Sequence, residues 1–365
     1  MTTRGLERFS QVYYGWFIVG ACFTATFVGL GTSYSFGVFF GEILTDFERS
    51  RSAISGIFSL QTLVLYLAAA AFGTTIDRIG TRRLMFLGVL LFSGGLLATS
   101  QVQSLRQLYV TYGIVTAVGM GILFILAYGT IPRWFDRRRG MAMGITSTGL
   151  GMGMLVVPAL AQFLISLTDW RTAFLLLAVP FTGVLVLAAV IIRGRPTEAG
   201  VDSSVEFDTS SSEVARAQNT GLRAQITRTF VLVFAGWVLI FGPLYVLFGH
   251  LAAYSGDLGL PEWVGAISLS VIGATGIVSR LAVGRLADRV GVVRPFVASA
   301  TIMGVVPLVL PVASSEVTLL GLAALFGIGY GGADALLSPL VATMFQEASV
   351  YSLLGVMSLA FALSG

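Results

Sequence analysis

Hydrophobic positions in this chain come in long unbroken runs and do not alternate with polar ones. From Leu84 to Ser100, and again from Phe174 to Ile192, no charged residue occurs and every face of a helix would be apolar. A barrel strand alternates in polarity over about 10 residues, whereas a helix that crosses a bilayer needs about 20 apolar residues. The runs therefore predict helices, at 13–41, 52–76, 83–101, 107–132, 140–167, 170–192, 229–254, 262–287, 294–313 and 317–345, with a last run from Tyr351. The first run is too long for the apolar stretch of a signal peptide and reads as a spanning helix.

The pattern also divides the chain. Residues 1–192 hold six predicted helices, and 193–228 is a polar stretch with Thr209, Ser210, Ser211 and Ser212 in sequence, read as a linker. Residues 229–365 hold a second, incomplete bundle. The fold class expected is an all-α integral membrane protein of two related six-helix halves. Eleven helices are expected here, the final one being read as cut off because the sequence stops at Gly365 inside an apolar run.

Composition reinforces this picture: 56% of the 365 residues are hydrophobic and 11% charged, against about 25% charged in soluble domains. Mean hydropathy is +0.88. The 44 glycines suit helices that approach closely in lipid. One cysteine, Cys22, and one histidine, His250, leave no disulfide pair and no His/Cys metal cluster. No cofactor is expected, and an enzyme that needs a converging acid, base and nucleophile is disfavoured. All 22 basic residues are arginines, so lysine chemistry is excluded. The pI of 9.4 fits arginine-rich loops against an anionic leaflet, not nucleic-acid binding.

Arginine placement sets an orientation. Seventeen of the 22 fall in the N-terminus and the loops after the second, fourth, sixth and eighth helices, four fall in the alternate loops, and Arg280 lies inside a span. Positively charged loops stay inside, which puts the N-terminus and linker of a multi-pass cell-membrane protein in the cytoplasm. The same loops reveal a repeat: Gly73, Asp77, Arg78 and Gly80 recur as Gly284, Asp288, Arg289 and Gly291, each displaced by 211 residues. The carboxylates in this doubled motif can accept hydrogen bonds at a helix N-terminus, and its arginines can pair across the face, which makes all eight positions gating candidates.

The segment from Gly73 to Arg83 resembles the loop signature of the major facilitator superfamily, and Gly284 to Gly291 resembles its second copy. Three further stretches resemble the monocarboxylate transporter family, and specifically its bacterial branch related to oxalate/formate antiporters. They are Tyr13 to Trp16, Tyr34 to Phe40 running on to Ser55, and Trp134-Phe135 with Arg137 to Ala142. The resemblance implies secondary transport by alternating access. Its animal branch carries a lysine in the first helix and an aspartate one turn before an arginine in the eighth. Here lysine is missing, Gly276 stands at the aspartate position, and the arginine is Arg280.

Buried polar residues then become the candidate site. Arg280 offers a planar fork for a carboxylate, with the alternative that it snorkels to the cytoplasmic interface. His250, in a helix interrupted by Pro243, is a candidate for substrate or proton binding. Asp334 is a candidate proton carrier or counter-ion of Arg280, or else a carboxylate near the inner gate. Tyr34 and Tyr330 are candidates to line the cavity, although helix packing is the commoner role for such rings. The function expected is transport of a small monocarboxylate, lactate- or pyruvate-like, across the lipid bilayer with a proton. A carboxylate exchanger of the oxalate/formate type and an exporter of another small molecule are the alternatives.

Overall fold

The computed structural model describes residues 3–135, 138–196, 227–345 and 350–364. Eleven helices occur among them. Six form the N-terminal half: α1 (Thr3–Phe47), α2 (Arg51–Ile79), α3 (Thr81–Thr99), α4 (Leu105–Trp134, with a π turn at Thr111–Thr116), α5 (Arg139–Leu167) and α6 (Trp170–Ile191). Five form the C-terminal half: α7 (Arg228–Asp257), α8 (Glu262–Val290), α9 (Val293–Val309), α10 (Glu316–Met344) and α11 (Val350–Ser364). Nine of these helices are long and apolar enough to cross a membrane.

The 211-residue repeat extends beyond the loop motif. α2 and α8 both have 29 residues, and their bounds differ by that offset. Ser104 and Ser315, also 211 apart, each close a capping box at the start of α4 and α10. In such a box the hydroxyl and its partner satisfy backbone N–H groups that a helix start leaves open. Gly80 and Gly291 end α2 and α8 at φ of 89° and 86°, in the left-handed region that a Cβ disfavours.

The core lies between helices, and the outer faces stay apolar. Leu239 is 76% exposed and Leu308 79%, which suits hydrocarbon and not water. Within the halves α1 packs on α5 and α8 on α10; between the halves α5 packs on α8 and α2 on α11. The predicted spans and the structure agree, with α1, α2 and α7 extending past the apolar runs and α3 and α9 stopping a few residues short of the predicted ends. Polar ends such as Thr45 to Phe47 are carried on the same hydrogen-bonded helix as the span they follow.

Candidate functional site

The centre of the bundle is set by a backbone crossing. A Cβ on Gly331 of α10 would overlap the backbone of Gly276 on α8, so two glycines let these parallel helices touch there. Arg280 follows that crossing by four residues on α8 and Asp334 by three on α10, each about one turn further on at 1.5 Å per residue. The crossing thus delivers the two side chains to one point. Arg280 Nε donates to Asp334 Oδ2 at 3.0 Å. Ser279 Oγ adds a 2.6 Å bond to the carbonyl of Ile328, fixing the register of the two helices.

Arg280 is 1% exposed and Asp334 4%, so the arginine does not snorkel. Its guanidinium carbon lies 4.8 Å from the centroid of the Tyr330 ring. A Cβ at position 276 would come within 3.0 Å of Nη1, so the glycine leaves the guanidinium its space. The acidic partner that Gly276 cannot supply comes instead from α10. Nη2 is buried and has no hydrogen-bond partner among the described residues. An unmade hydrogen bond on a buried cation is costly, and a carboxylate is the group whose geometry completes the fork.

Asp334 is held from the other half as well. Tyr128 Oη on α4 donates to Asp334 Oδ1 at 3.1 Å, and the Tyr128 carbonyl accepts from Ser338 Oγ. A narrow cavity adjoins the pair, lined by six aromatic rings (Tyr34, Tyr66, Phe124, Tyr128, Tyr330 and Phe361), three leucines and Asp334. Tyr34, Tyr330 and Asp334 therefore line one cavity. His250 lies on α7, but its side chain is outside the described residues. Tyr128, Tyr66, Phe124 and Phe361 were not singled out by sequence. Aromatic residues are common throughout the apolar runs, and nothing local marks these four.

At the arginine-rich end the doubled motif joins the halves in two different ways. Asp288 receives the backbone N–H groups of Gly140 and Met141 at 2.7 and 2.9 Å, capping the start of α5. Gly284, one turn earlier, packs against the backbone of Gly140. In the first copy Asp77 accepts from Arg133 Nη2 at 2.9 Å, and the guanidinium carbon of Arg133 lies 4.2 Å from the Tyr351 ring centroid. Tyr351 Oη and Thr130 Oγ1 are 2.8 Å apart, and Gly73 faces the Tyr351 carbonyl. Arg78 and Arg289 are exposed. Among the described residues no cluster of three or more metal-ligating side chains occurs.

Residues 21–365 match the family described as Major Facilitator Superfamily. Monocarboxylate transporter 3 of Rattus norvegicus is 28% identical over 331 residues; the match takes in 88% of this chain and 66% of that protein, so the chain spans just under two thirds of this relative. Monocarboxylate transporter 13 of the same species is 27% identical, covering 96% of this chain and 80% of the relative. Among solved structures, the proton:xylose symporter XylE bound to 6-bromo-6-deoxy-D-glucose superposes with a TM-score of 0.72 at 14% identity, over 97% of this chain and 87% of that one. A bacterial homologue of the iron transporter ferroportin in its outward-facing state gives 0.73 at 16% identity, over 95% and 89%. At these identities the structural likeness speaks for the fold.

Proposed function

The chain belongs to the major facilitator superfamily, and on that premise we propose that it carries a small monocarboxylate, lactate- or pyruvate-like, together with a proton by alternating access. The observation that carries this reading is Arg280: fully buried, tied through Nε to Asp334, and left with Nη2 unpartnered beside a cavity that Asp334 and Tyr330 line. The names of the monocarboxylate transporter relatives support the substrate class.

Charge conservation supplies the coupling. In the empty site Arg280 and Asp334 sum to zero. When a carboxylate binds Arg280, the sum stays at zero only if Asp334 takes up a proton. A net charge in the bilayer interior is costly, so the neutral states are the ones that reorient. Asp334 is therefore the proton carrier and Arg280 the substrate residue; Tyr330 supports the guanidinium from its ring face, and Tyr34 shapes the cavity. Loss of the Asp334 charge also weakens the bond from Tyr128, which links loading to the interface between the halves.

Residues 1–192 and 229–365 act as the two rocking units, joined by the 193–228 linker. The arginine excess places the N-terminus, linker and arginine-rich end in the cytoplasm of a cell-membrane protein. The motif residues at that end, Asp288 on the α5 terminus and Asp77 on Arg133, hold the inner gate closed. Labelled lactate or pyruvate uptake into proteoliposomes under an inward proton gradient tests the reading. Gradient-stimulated uptake is expected; exchange that needs trans substrate and ignores the gradient would replace symport with antiport, and no uptake of either acid would overturn both.

A further inference from the structure

A second cavity adjoins the first and shares three of its rings, Phe124, Tyr128 and Phe361. Beyond those rings it is walled by Trp237, Leu337, Leu354 and Ser358. The shared rings form a continuous aromatic partition: Phe124 stands 4.6 Å from Tyr128 and 5.8 Å from Tyr66, and Phe361 stands 5.3 Å from Tyr66 and 6.1 Å from Trp237, all between centroids. Trp237 is 2% exposed, and its indole N–H is buried without a hydrogen-bond partner among the described residues. The two chambers thus run from Asp334 and Tyr330, the two residues that flank the Arg280 guanidinium, to the wall that carries Trp237, with apolar and aromatic surface between them.

That sequence of surfaces fits poorly with a compact acid. Lactate would fill the carboxylate position and bring a single methyl group to the rings. A dicarboxylate would fare worse, because Arg280 stands just behind Asp334 and Tyr330 and among the described residues no other cation lies at either chamber, and an unpaired charge there is costly. A flat apolar body, in contrast, would take the place that Phe361 and Phe124 now fill against their neighbours, and edge-to-face or offset contacts with rings favour an aryl group.

Resting on the monocarboxylate reading above, we propose that the preferred substrate is an elongated monocarboxylate: carboxylate on Arg280, an aryl body between the shared rings, and a neutral hydrogen-bond acceptor at the far end for the Trp237 N–H. Arg280 provides the binding energy common to all acids, and the rings with Trp237 provide the selection among them.

Competition against labelled lactate uptake by the full chain in proteoliposomes decides the matter, with phenyllactate, 4-hydroxyphenyllactate and oxalate as competitors. Phenyllactate is expected to inhibit at a concentration at least about tenfold lower than unlabelled lactate, the scale by which a well-fitted apolar group discriminates. 4-Hydroxyphenyllactate should inhibit at a lower concentration still, and oxalate should not inhibit. In the Trp237→Phe variant, which keeps an aromatic wall, the advantage of the hydroxyl should vanish. Phenyllactate no better than lactate, with lactate uptake intact, overturns this inference and leaves the monocarboxylate reading standing. A hydroxyl advantage missing from the unmodified protein, or surviving in the variant, overturns the role of Trp237. If lactate is not carried at all, counterflow of labelled phenyllactate supports the proposal, and its absence overturns both readings.

Discussion

The hydroxyl of Tyr128 in the N-terminal half donates to Asp334 in the C-terminal half at 3.1 Å, so the carboxylate that pairs with Arg280 is also a tie between the two halves. Tyr128→Phe removes the tie and keeps the ring against Phe124. A hydrogen bond to a charged group contributes about 1.5–3 kcal/mol, enough to move a conformational equilibrium tenfold or more. The expected result is a changed maximum rate with a KM for substrate that moves by about twofold or less. A change confined to KM would place Tyr128 on the substrate instead.

Arg280→Ala should abolish carboxylate uptake. It also strands Asp334, and removing one partner of a buried pair costs about 3–5 kcal/mol, so the single variant is expected to be poorly stable. The double variant Arg280→Ala with Asp334→Ala removes both charges and should recover thermal stability without recovering transport. Arg280→Lys keeps the charge but not the fork, and should transport far more slowly than the parent. Uptake that persists in the double variant points to a substrate without a carboxylate.

Asp334→Asn separates binding from coupling. The amide has nearly the shape of the carboxylate and retains an oxygen for Arg280 or Tyr128, but carries no titratable proton. Counterflow of labelled substrate should continue, while stimulation by an imposed proton gradient should disappear. A surviving gradient response would assign the proton to another residue.

Much of this site was legible in the sequence because burying charge in hydrocarbon is rare and costly, and Arg280 and Asp334 announce themselves as ionised residues in apolar runs. The doubled Gly73 and Gly284 motif was legible for a similar reason, since an identical spacing displaced by 211 residues needs no structure to be seen. What the sequence left open was whether Asp334 met Arg280 or lay near the inner gate. With Gly276 one turn before it, the partner had to come from another helix, and the choice depended on the α8–α10 backbone crossing at Gly276 and Gly331. Tyr128 and Trp237 were hidden for the opposite reason: a tyrosine or indole in an apolar run is ordinary, and only burial together with a missing or distant partner distinguishes it.

The start of α6 offers a pH-dependent test outside the bilayer core. Asp169 accepts the hydroxyl of Thr172 at 2.6 Å and the backbone N–H groups of Arg171 and Thr172 at 2.8 and 3.1 Å. The Thr172 hydroxyl first, and then the backbone bonds, hold its carboxyl below the usual value. A folded value below the unfolded one means that the stabilisation is complete above the ordinary carboxylate range and is lost as pH falls through the lowered folded value. Asp169→Ala should therefore cost about 1 kcal/mol at neutral pH. Thermal midpoints in detergent should show the gap between variant and parent closing below about pH 4. A gap independent of pH would mean that the side chain acts through packing and not as an ionised cap.

Gly284 and Gly140 meet backbone to backbone where α8 of one half crosses α5 of the other, at the arginine-rich end. A methyl group on Gly284 would overlap the Gly140 carbonyl, and neither atom belongs to a side chain that could rotate away. Gly284→Ala must therefore push the two helices apart, and overpacking of this kind costs about 1–3 kcal/mol. The displacement would also draw Asp288, one turn further along α8, away from the N–H groups of Gly140 and Met141. Gly94→Ala is the control: nothing lies within 4 Å of its added Cβ on α3, and trading glycine for alanine in an open helix favours the helix slightly. The expected outcome is a lowered thermal midpoint and altered transport rate for Gly284→Ala, with Gly94→Ala equal to the parent or slightly more stable. If both variants behave alike, the Gly140–Gly284 contact does not hold the halves together, and that end must rest on the Asp288 cap of α5 and on the Asp77, Arg133 and Tyr351 group.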